Sequence, residues 1–283
     1  MVDISLITVS WNVRDYLAAS LEAVFGSAGD ISYEIIVVDN NSTDGTAPFL
    51  RERAKRDARM VVIANNTNVG FARANNQAIA RAQGRYVLLL NPDMRVQPDT
   101  LTHMVAWMDA HPRVGVSGCH LVTEVGETVP HVRRFPGLLN QLAIVLKLPH
   151  LFPRLVGRYL MHNFDYKKEA RVDSVRGSFF MIRREALKVG FLDERFFIWF
   201  EEVDFCKRMR SAGWEVWYTP AADCIDHVGQ SFKQVASVKK QRMFLESMRL
   251  YFEKWGGWKH ALAISFAKPA GLFFTWCGAL MKK

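Results

Sequence analysis

The chain has 283 residues, 49% of them apolar and 23% charged, with a formal net charge of +9. That balance suits a soluble globular protein of one large domain, or one domain with an appendage. The four cysteines, Cys119, Cys206, Cys224 and Cys277, lack CxxC spacing, which argues against a zinc site or a disulfide framework and for a reducing, cytosolic setting.

Asp3 is followed at once by the strand-like "ISLITVS", without the basic start and apolar block of a signal peptide. A first strand is predicted over 3–10 and a helix over 12–27. The unbroken apolar run "YEIIVVD" (33–39) predicts a strand buried on both faces, and a helix follows from Asp44. "MVVIA" (60–64), a helix over about 71–83 and "YVLLL" (86–90) continue the alternation. Short apolar strands separated by helices predict an α/β fold with a parallel sheet covered on both sides. Further strands are expected in "SFFMIRR" (178–184) and "EVWYT" (215–219), and "EEVDFCKRMRSAG" reads as a helix ended by Gly213. Beyond 234, Val238, Leu245, Met248, Phe252 and Trp255 form one apolar helical face. The closing run "ALAISFAKPAGLFFTWCGALMKK" has the length of a membrane span, but Lys268-Pro269 interrupts it, which predicts an interfacial or re-entrant anchor.

In parallel α/β sheets ligands bind beyond the carboxyl ends of the strands, so the polar residues there are the candidates. After the first strand, Ser10 leads into Trp11-Asn12. "DNNSTDGT" (39–46) follows the second, "NNTNVGFARANN" (65–76) the third and "NPD" (91–93) the fourth. Any one cluster would pass for a turn; four at successive strand ends point to a binding site. No GxGxxG and no Walker-type glycine loop occurs, so dinucleotide and P-loop readings lack their phosphate cradle. A second feature is "FFIWFEEVDFCKRMRSAG" (196–213), which sets Glu201, Glu202 and Asp204 directly after four aromatic residues. First-turn acids and last-turn cations suit a helix dipole, but that does not explain a carboxyl pair on an aromatic approach.

Together the blocks "VSWN", "VVDNNSTDGT", "NVGFARANN", "LLNPD", "RGSFFMIRREAL", "GFLDERFFIWFEEVDFCKRMRSAGW" and "HVGQSF" resemble the inverting family-2 glycosyltransferases of GT-A fold, in particular their rhamnosyltransferase-like branch, over residues 3 to 255. The resemblance implies a Rossmann-like, mostly parallel sheet flanked by helices, with C-terminal amphipathic or apolar helices. It implies that Asp39 reads the pyrimidine base of a dTDP- or UDP-sugar, with Asn68, Gly70, Phe71 and Asn75 shaping the same pocket. The strand-end residues Ser10, Asn12, Asn41, Asp44 and Asn91 join them as nucleotide-sugar candidates. "NPD" stands where many relatives carry Asp-x-Asp, so Asp93 alone offers a full charge to a divalent metal, Mg²⁺ or Mn²⁺, and His227 resembles the histidine that completes that site; an imidazole ligand tilts the choice toward manganese.

The chemistry implied is a single displacement. An acceptor hydroxyl attacks the anomeric carbon, the metal neutralises the leaving diphosphate, and a carboxylate takes the hydroxyl proton, an effect of about 100- to 10,000-fold in rate. In relatives the base is the Asp of a Glu-Asp pair. Here the pair is Glu201-Glu202; position favours Glu202, with Glu201 as a structural or acceptor-binding partner. Asp193, Glu194 and Trp199 lie at the same mouth as acceptor-binding candidates. The expected organisation is a transferase domain over 1–232, with a nucleotide-sugar half of about 1–120 and an acceptor half of about 121–232, followed by a helical membrane-associating segment over 233–283.

Charge placement supports the last point. Residues 131–168 hold seven Lys/Arg against Asp165, and residues 233–283 hold ten against two acids. Both stretches are also rich in Leu, Phe and Trp, a combination that suits anionic lipid better than a nucleic-acid groove, so no nucleic-acid partner is expected. The expectation is a cytoplasmic enzyme at the inner face of the cell membrane, moving L-rhamnose from dTDP-rhamnose to a lipid-linked or polysaccharide acceptor. In it, Arg133, Arg134 or Arg158 would meet a lipid-linked diphosphate. The alternatives are a UDP-hexose or UDP-N-acetylhexosamine transferase of the same fold and an inactive membrane-associated scaffold.

Overall fold

The structure, a computed structural model, describes residues 2–27, 29–227 and 233–280. The part of the "HVGQSF" motif beyond His227 lies outside them. The described strands form one nine-stranded sheet in the order β3-β2-β1-β4-β8-β6-β9-β5, with β7 paired to β9. Its first half is the alternation expected: β1 (Ile4–Ser10), α1 (Arg14–Gly26), β2 (Tyr33–Asp39), α2 (Thr46–Arg56), β3 (Met60–Ala64), α3 (Phe71–Ile79) and β4 (Tyr86–Leu90). β3, β2, β1 and β4 pair in parallel. Each is apolar along its length because both faces are covered. Leu6, Ile35, Val37 and Leu88 enter one core, while Ile7, Ile36, Val38, Val87 and Leu89 enter the other.

The second half changes direction. β5 (Met94–Val96), α4 (Thr100–Ala110) and β6 (Val114–Val122) precede the 131–168 segment, which carries α5 (Leu138–Val145) and α6 (Arg154–Leu160). β7 (Ala170–Arg171), β8 (Phe179–Arg183), α7 (Glu201–Ser211) and β9 (Glu215–Asp226) follow. β8 inserts antiparallel between β4 and β6, and β9 runs parallel to β6 but antiparallel to β5 and β7. β9 is seven residues longer than "EVWYT" implies, and register shifts in its pairing with β6 bend it.

The C-terminal helices α8 (Ser237–Gly256) and α9 (Trp258–Leu280) build a third core. Leu245, Met248, Tyr251, Phe252 and Ile264 enclose Phe196, Phe200 and Val145. Contrary to the expected interruption, α9 continues through Pro269. Proline removes one backbone hydrogen bond and costs about 3 kcal/mol in a helix interior, and packing offsets it: Ile264 is fully buried, and a Cβ on Gly271 would stand only 2.8 Å from Val145 Cγ1. Among the described residues no helix is long and apolar enough to cross a membrane.

One polar knot ties this appendage to the sheet domain. Asp204 of α7, fully buried, accepts from Lys254 Nζ at 2.9 Å, Trp255 Nε1 at 2.8 Å and Arg208 Nε at 3.0 Å. Lys254 also reaches Asp193 Oδ2 at 2.9 Å. Lys254→Met leaves both carboxylates one donor short in a low-dielectric setting. Urea unfolding of the full chain is expected to show a loss of about 2–3 kcal/mol.

Candidate active site

The carboxyl ends of β1, β2 and β4 open into a cleft of about 590 Å³. One wall is strand-end loops: Trp11, Asn40, Asn68, Gly70, Phe71, Asn91 and Asp93. The other comes from the second half: His131, Arg133, Tyr159, Arg176, Ser178 and residues 197–199 and 201–203, with Asp226 and Phe244.

The strand-end wall is organised by Asn40. Its Nδ2 donates to Asn68 Oδ1 (2.9 Å) and to the Gly70 carbonyl (3.3 Å), and its Oδ1 accepts from Asn65 Nδ2 (3.2 Å) and the Val69 amide (3.0 Å). Gly70 has φ +88°, and a Cβ there would lie 2.6 Å from the Phe197 carbonyl oxygen, which accepts from the Phe71 amide. Only glycine fits this approach, and it locks the loop between β3 and α3 to the chain leading into α7.

Other strand-end candidates are engaged in holding the loops. Asn12 Oδ1 accepts from the Thr43 amide at 2.7 Å. Asp44 accepts from the Arg14 and Thr46 amides and from Thr46 Oγ1; burial opposes its ionisation, but these hydrogen bonds win and hold its carboxyl below the usual range. Asn75 donates to the Phe71 carbonyl one turn back. Asp39 is buried at the end of β2, accepting from the Ser42 amide at 3.2 Å. Ser10 is buried at the end of β1, and Asn41, at φ +66°, is exposed. None of these six lines the cleft.

Glu201 and Glu202 open α7 and both line the cleft. They get there through two consecutive left-handed residues, Trp199 (φ +65°) and Phe200 (φ +69°). Such backbone costs about 1–3 kcal/mol per residue. It is offset by ring packing: Trp199 and Phe200 against Phe244, and Phe200 against Tyr251, at centroid separations of 5.4–5.9 Å. Glu201 is the deeper carboxyl; burial, reinforced by the neighbouring Glu202, pushes it well above the carboxylate range. Glu202 is partly open to the cleft beside Gly177. Burial raises it too, opposed by backbone hydrogen bonds and the Arg176 charge.

Polar atoms lacking a protein partner gather here. Glu201 Oε2, Glu202 Oε2, Ser178 Oγ and His131 Nε2 are all buried with no hydrogen bond among the described residues. Leaving such a group unmet costs about 1–3 kcal/mol. His131 Nδ1 faces the Val129 carbonyl at 3.0 Å and so carries the proton. Burial drops the imidazole to about 3, leaving Nε2 a neutral acceptor in the wall.

Asp93 and His227 are brought together: the His227 amide donates to the Asp93 carbonyl at 3.2 Å, and both border a second, smaller hollow with Arg95 and Glu124. His227 Nε2 lies 3.0 Å from Arg95 Nη2, and since guanidinium only donates, Nε2 is the acceptor. Among the described residues no cluster of three or more His, Cys, Asp or Glu forms. Asp93 offers one carboxylate and His227 one imidazole, whose Nε2 would have to release Arg95 to bind a divalent ion.

Of the three acceptor-binding candidates, Trp199 lines the cleft, but Asp193 and Glu194 do not. Asp193 is bound by Arg195 and Lys254, hydrogen bonding to Arg195 being the main reason its carboxyl sits far below the usual range. Glu194 accepts from Asn76 Nδ2 at 3.0 Å. The sequence reading missed Asn40, His131, Tyr159, Arg176 and Asp226. Arg176 donates to Asp226 Oδ2 at 2.7 Å across the cleft floor; its signal was its place in "RGSFF", and that of Asp226 its place beside His227.

The sequence matches the family model described as Glycosyl transferase family 2 over residues 5–191, and the chain belongs to that family. An N-acetylglucosaminyl-diphospho-decaprenol L-rhamnosyltransferase of Mycobacterium tuberculosis is 27% identical over 211 residues, covering 70% of this chain and 67% of that protein. The rhamnosyltransferase WbbL of Escherichia coli is 25% identical over 258 residues, 88% of this chain and 92% of its own length. Against other curated relatives the chain spans less than half of their length, 41% and 27% in two cases. The mannosyltransferase PcManGT of Pyrobaculum calidifontis, solved with GDP-Man and Mn²⁺, superposes with a TM-score of 0.61 at 20% identity, covering 99% of this chain and 74% of that one; that likeness shows a shared GT-A fold.

Gly70→Ala puts a Cβ against the Phe197 carbonyl at a φ that L-residues rarely adopt. It is expected to cost about 2–4 kcal/mol in urea unfolding.

Proposed function

We propose that this family-2 glycosyltransferase is an inverting, metal-dependent enzyme that moves L-rhamnose from dTDP-rhamnose to a lipid-linked or polysaccharide acceptor at a membrane face. The observation that carries the transfer reading is the cleft itself: buried, unpartnered polar atoms and a raised carboxyl pair face the strand ends. The names of the two rhamnosyltransferase relatives support the sugar.

In this reading residues of about 1–120 hold the donor, with Asn68, Gly70 and Phe71 around the base and ribose. Asp93 and His227 would hold a divalent ion, which when bound supplies charge neutralisation at the leaving diphosphate. Residues of about 121–232 hold the acceptor. Trp199 stacks on its apolar face, and His131 Nε2 accepts from one of its hydroxyls. Glu202, open to the cleft, takes the proton of the attacking hydroxyl. Glu201, deeper and held protonated, keeps the pair at a single negative charge and donates toward the acceptor. Residues 233–283 supply the membrane-facing segment: Phe266, Phe273 and Trp276 of α9 stand exposed on it.

The test is calorimetric titration with dTDP-rhamnose, UDP-glucose and UDP-N-acetylglucosamine, with manganese and with chelator, alongside turnover of Glu202→Gln. The expected outcome is metal-dependent preference for dTDP-rhamnose of tenfold or more. Glu202→Gln should retain donor binding while turnover falls about 100- to 10,000-fold. Preference for a UDP-sugar would reassign the donor, and unchanged turnover would remove Glu202 as the base.

A base works ionised, so turnover falls as pH drops through its pKa. Because burial raises Glu202, the acidic limb of the kcat/KM profile is expected above the ordinary carboxylate range. Glu201 is the neutral member of the pair, so Glu201→Gln, neutral as well, should leave that limb in place.

A further inference from the structure

We propose that the hollow between residue 134 and α6 binds the phosphate of an anionic lipid headgroup, at a site separate from the sugar-transfer cleft. The proposal deepens the membrane-face reading above and rests on it. Arg134, Arg154, Arg158 and His162 line an open cavity of about 650 Å³ that shares no lining residue with the cleft. Arg154 and Arg158 stand one turn apart on the same face of α6. The Arg134 amide donates to the Tyr159 carbonyl at 3.0 Å, which lays a third guanidinium alongside them.

No carboxylate pairs with any of the three guanidiniums among the described residues; Asp165, which also lines the hollow, is 3.5 Å from Lys168 Nζ instead. Like charges one helical turn apart repel, so the arrangement carries an unfavourable term that a phosphate would reverse. Guanidinium suits that role, since its fork binds phosphate oxygens two at a time.

Lipid rather than free phosphate follows from the flanking chain. Leu151, Phe152 and Leu155 lie within three residues of Arg154 in the chain and have 74%, 59% and 53% of their surfaces exposed. Apolar side chains around a cationic hollow suit a headgroup whose acyl chains begin a few ångströms away. The segment is therefore a partition with two working faces. Arg133 and Tyr159 look into the cleft, while Arg134 and Arg158, their sequence neighbours, look into the hollow. A bound headgroup would thus hold the acceptor side of the cleft at the bilayer surface.

The test is co-sedimentation of the full chain with phosphatidylcholine vesicles, pure or with roughly a third phosphatidylglycerol. Wild type is expected to bind the anionic vesicles, and the triple variant Arg134→Gln/Arg154→Gln/Arg158→Gln at least tenfold more weakly, at roughly fivefold or less per arginine. A control on α2, Arg51→Gln/Lys55→Gln/Arg56→Gln, removes the same charge and should change binding less than about twofold. Matching thermal unfolding of both variants and wild type reports the fold. Equal binding by the two triple variants overturns the site while leaving the membrane reading intact, and failure of wild type to bind anionic vesicles overturns both. Saturable calorimetric binding of inorganic phosphate that the triple variant loses, without vesicle binding, overturns the lipid assignment in favour of a soluble phosphate.

Discussion

The structure depends on how the first turn of α7 is held. Two carboxyls are buried there beside each other, an arrangement that mutual repulsion and desolvation both oppose. They stay because three constraints act on the same few residues. The left-handed pair Trp199-Phe200 turns the chain into the cleft, the Phe197 carbonyl is fastened to the Phe71 amide, and Asp204 one turn on is anchored by Lys254 and Trp255. Each constraint comes from a different part of the chain: the loop between β3 and α3, the approach segment and the C-terminal helices.

This explains why α8 and α9 are part of the enzyme rather than a detachable tail. Phe200, Phe196 and Val145 share one apolar cluster with Leu245, Met248 and Ile264. Burial of that cluster stabilises the strained turn, and the turn in turn aims Glu201 and Glu202. The exposed aromatic residues of α9 are thereby connected through packed side chains to the carboxyl pair.

The sheet divides the remaining work. Its parallel half presents amide-rich loops at the ends of β1, β2 and β4, and its antiparallel half, through β8 and β9, returns the chain so that Arg176, Ser178 and Asp226 face those loops. Asn91 and Ser178, joined by a main-chain hydrogen bond at 2.9 Å, mark where the halves meet. Polar residues in the strand-end loops serve two purposes. Asn40, Asn12 and Asp44 hold loop geometry, and the residues they position, Asn68, Gly70 and Phe71, border the cleft.

The alternation of apolar strands and helices up to residue 90 was legible in the sequence because a parallel strand buried on two faces must be continuously apolar. So were the blocks that carry the family and the carboxyl pair after an aromatic run, since both are contiguous in the chain. What tertiary structure alone decided were relations between distant residues. It determined that Asp193 answers Lys254 and Arg195, that Asp44 caps a loop, and that Arg176 meets Asp226. It also carried α9 through Pro269. In each case the type of residue announced polarity or a break, but the free energy that settled its role came from a partner or a packing surface many residues away.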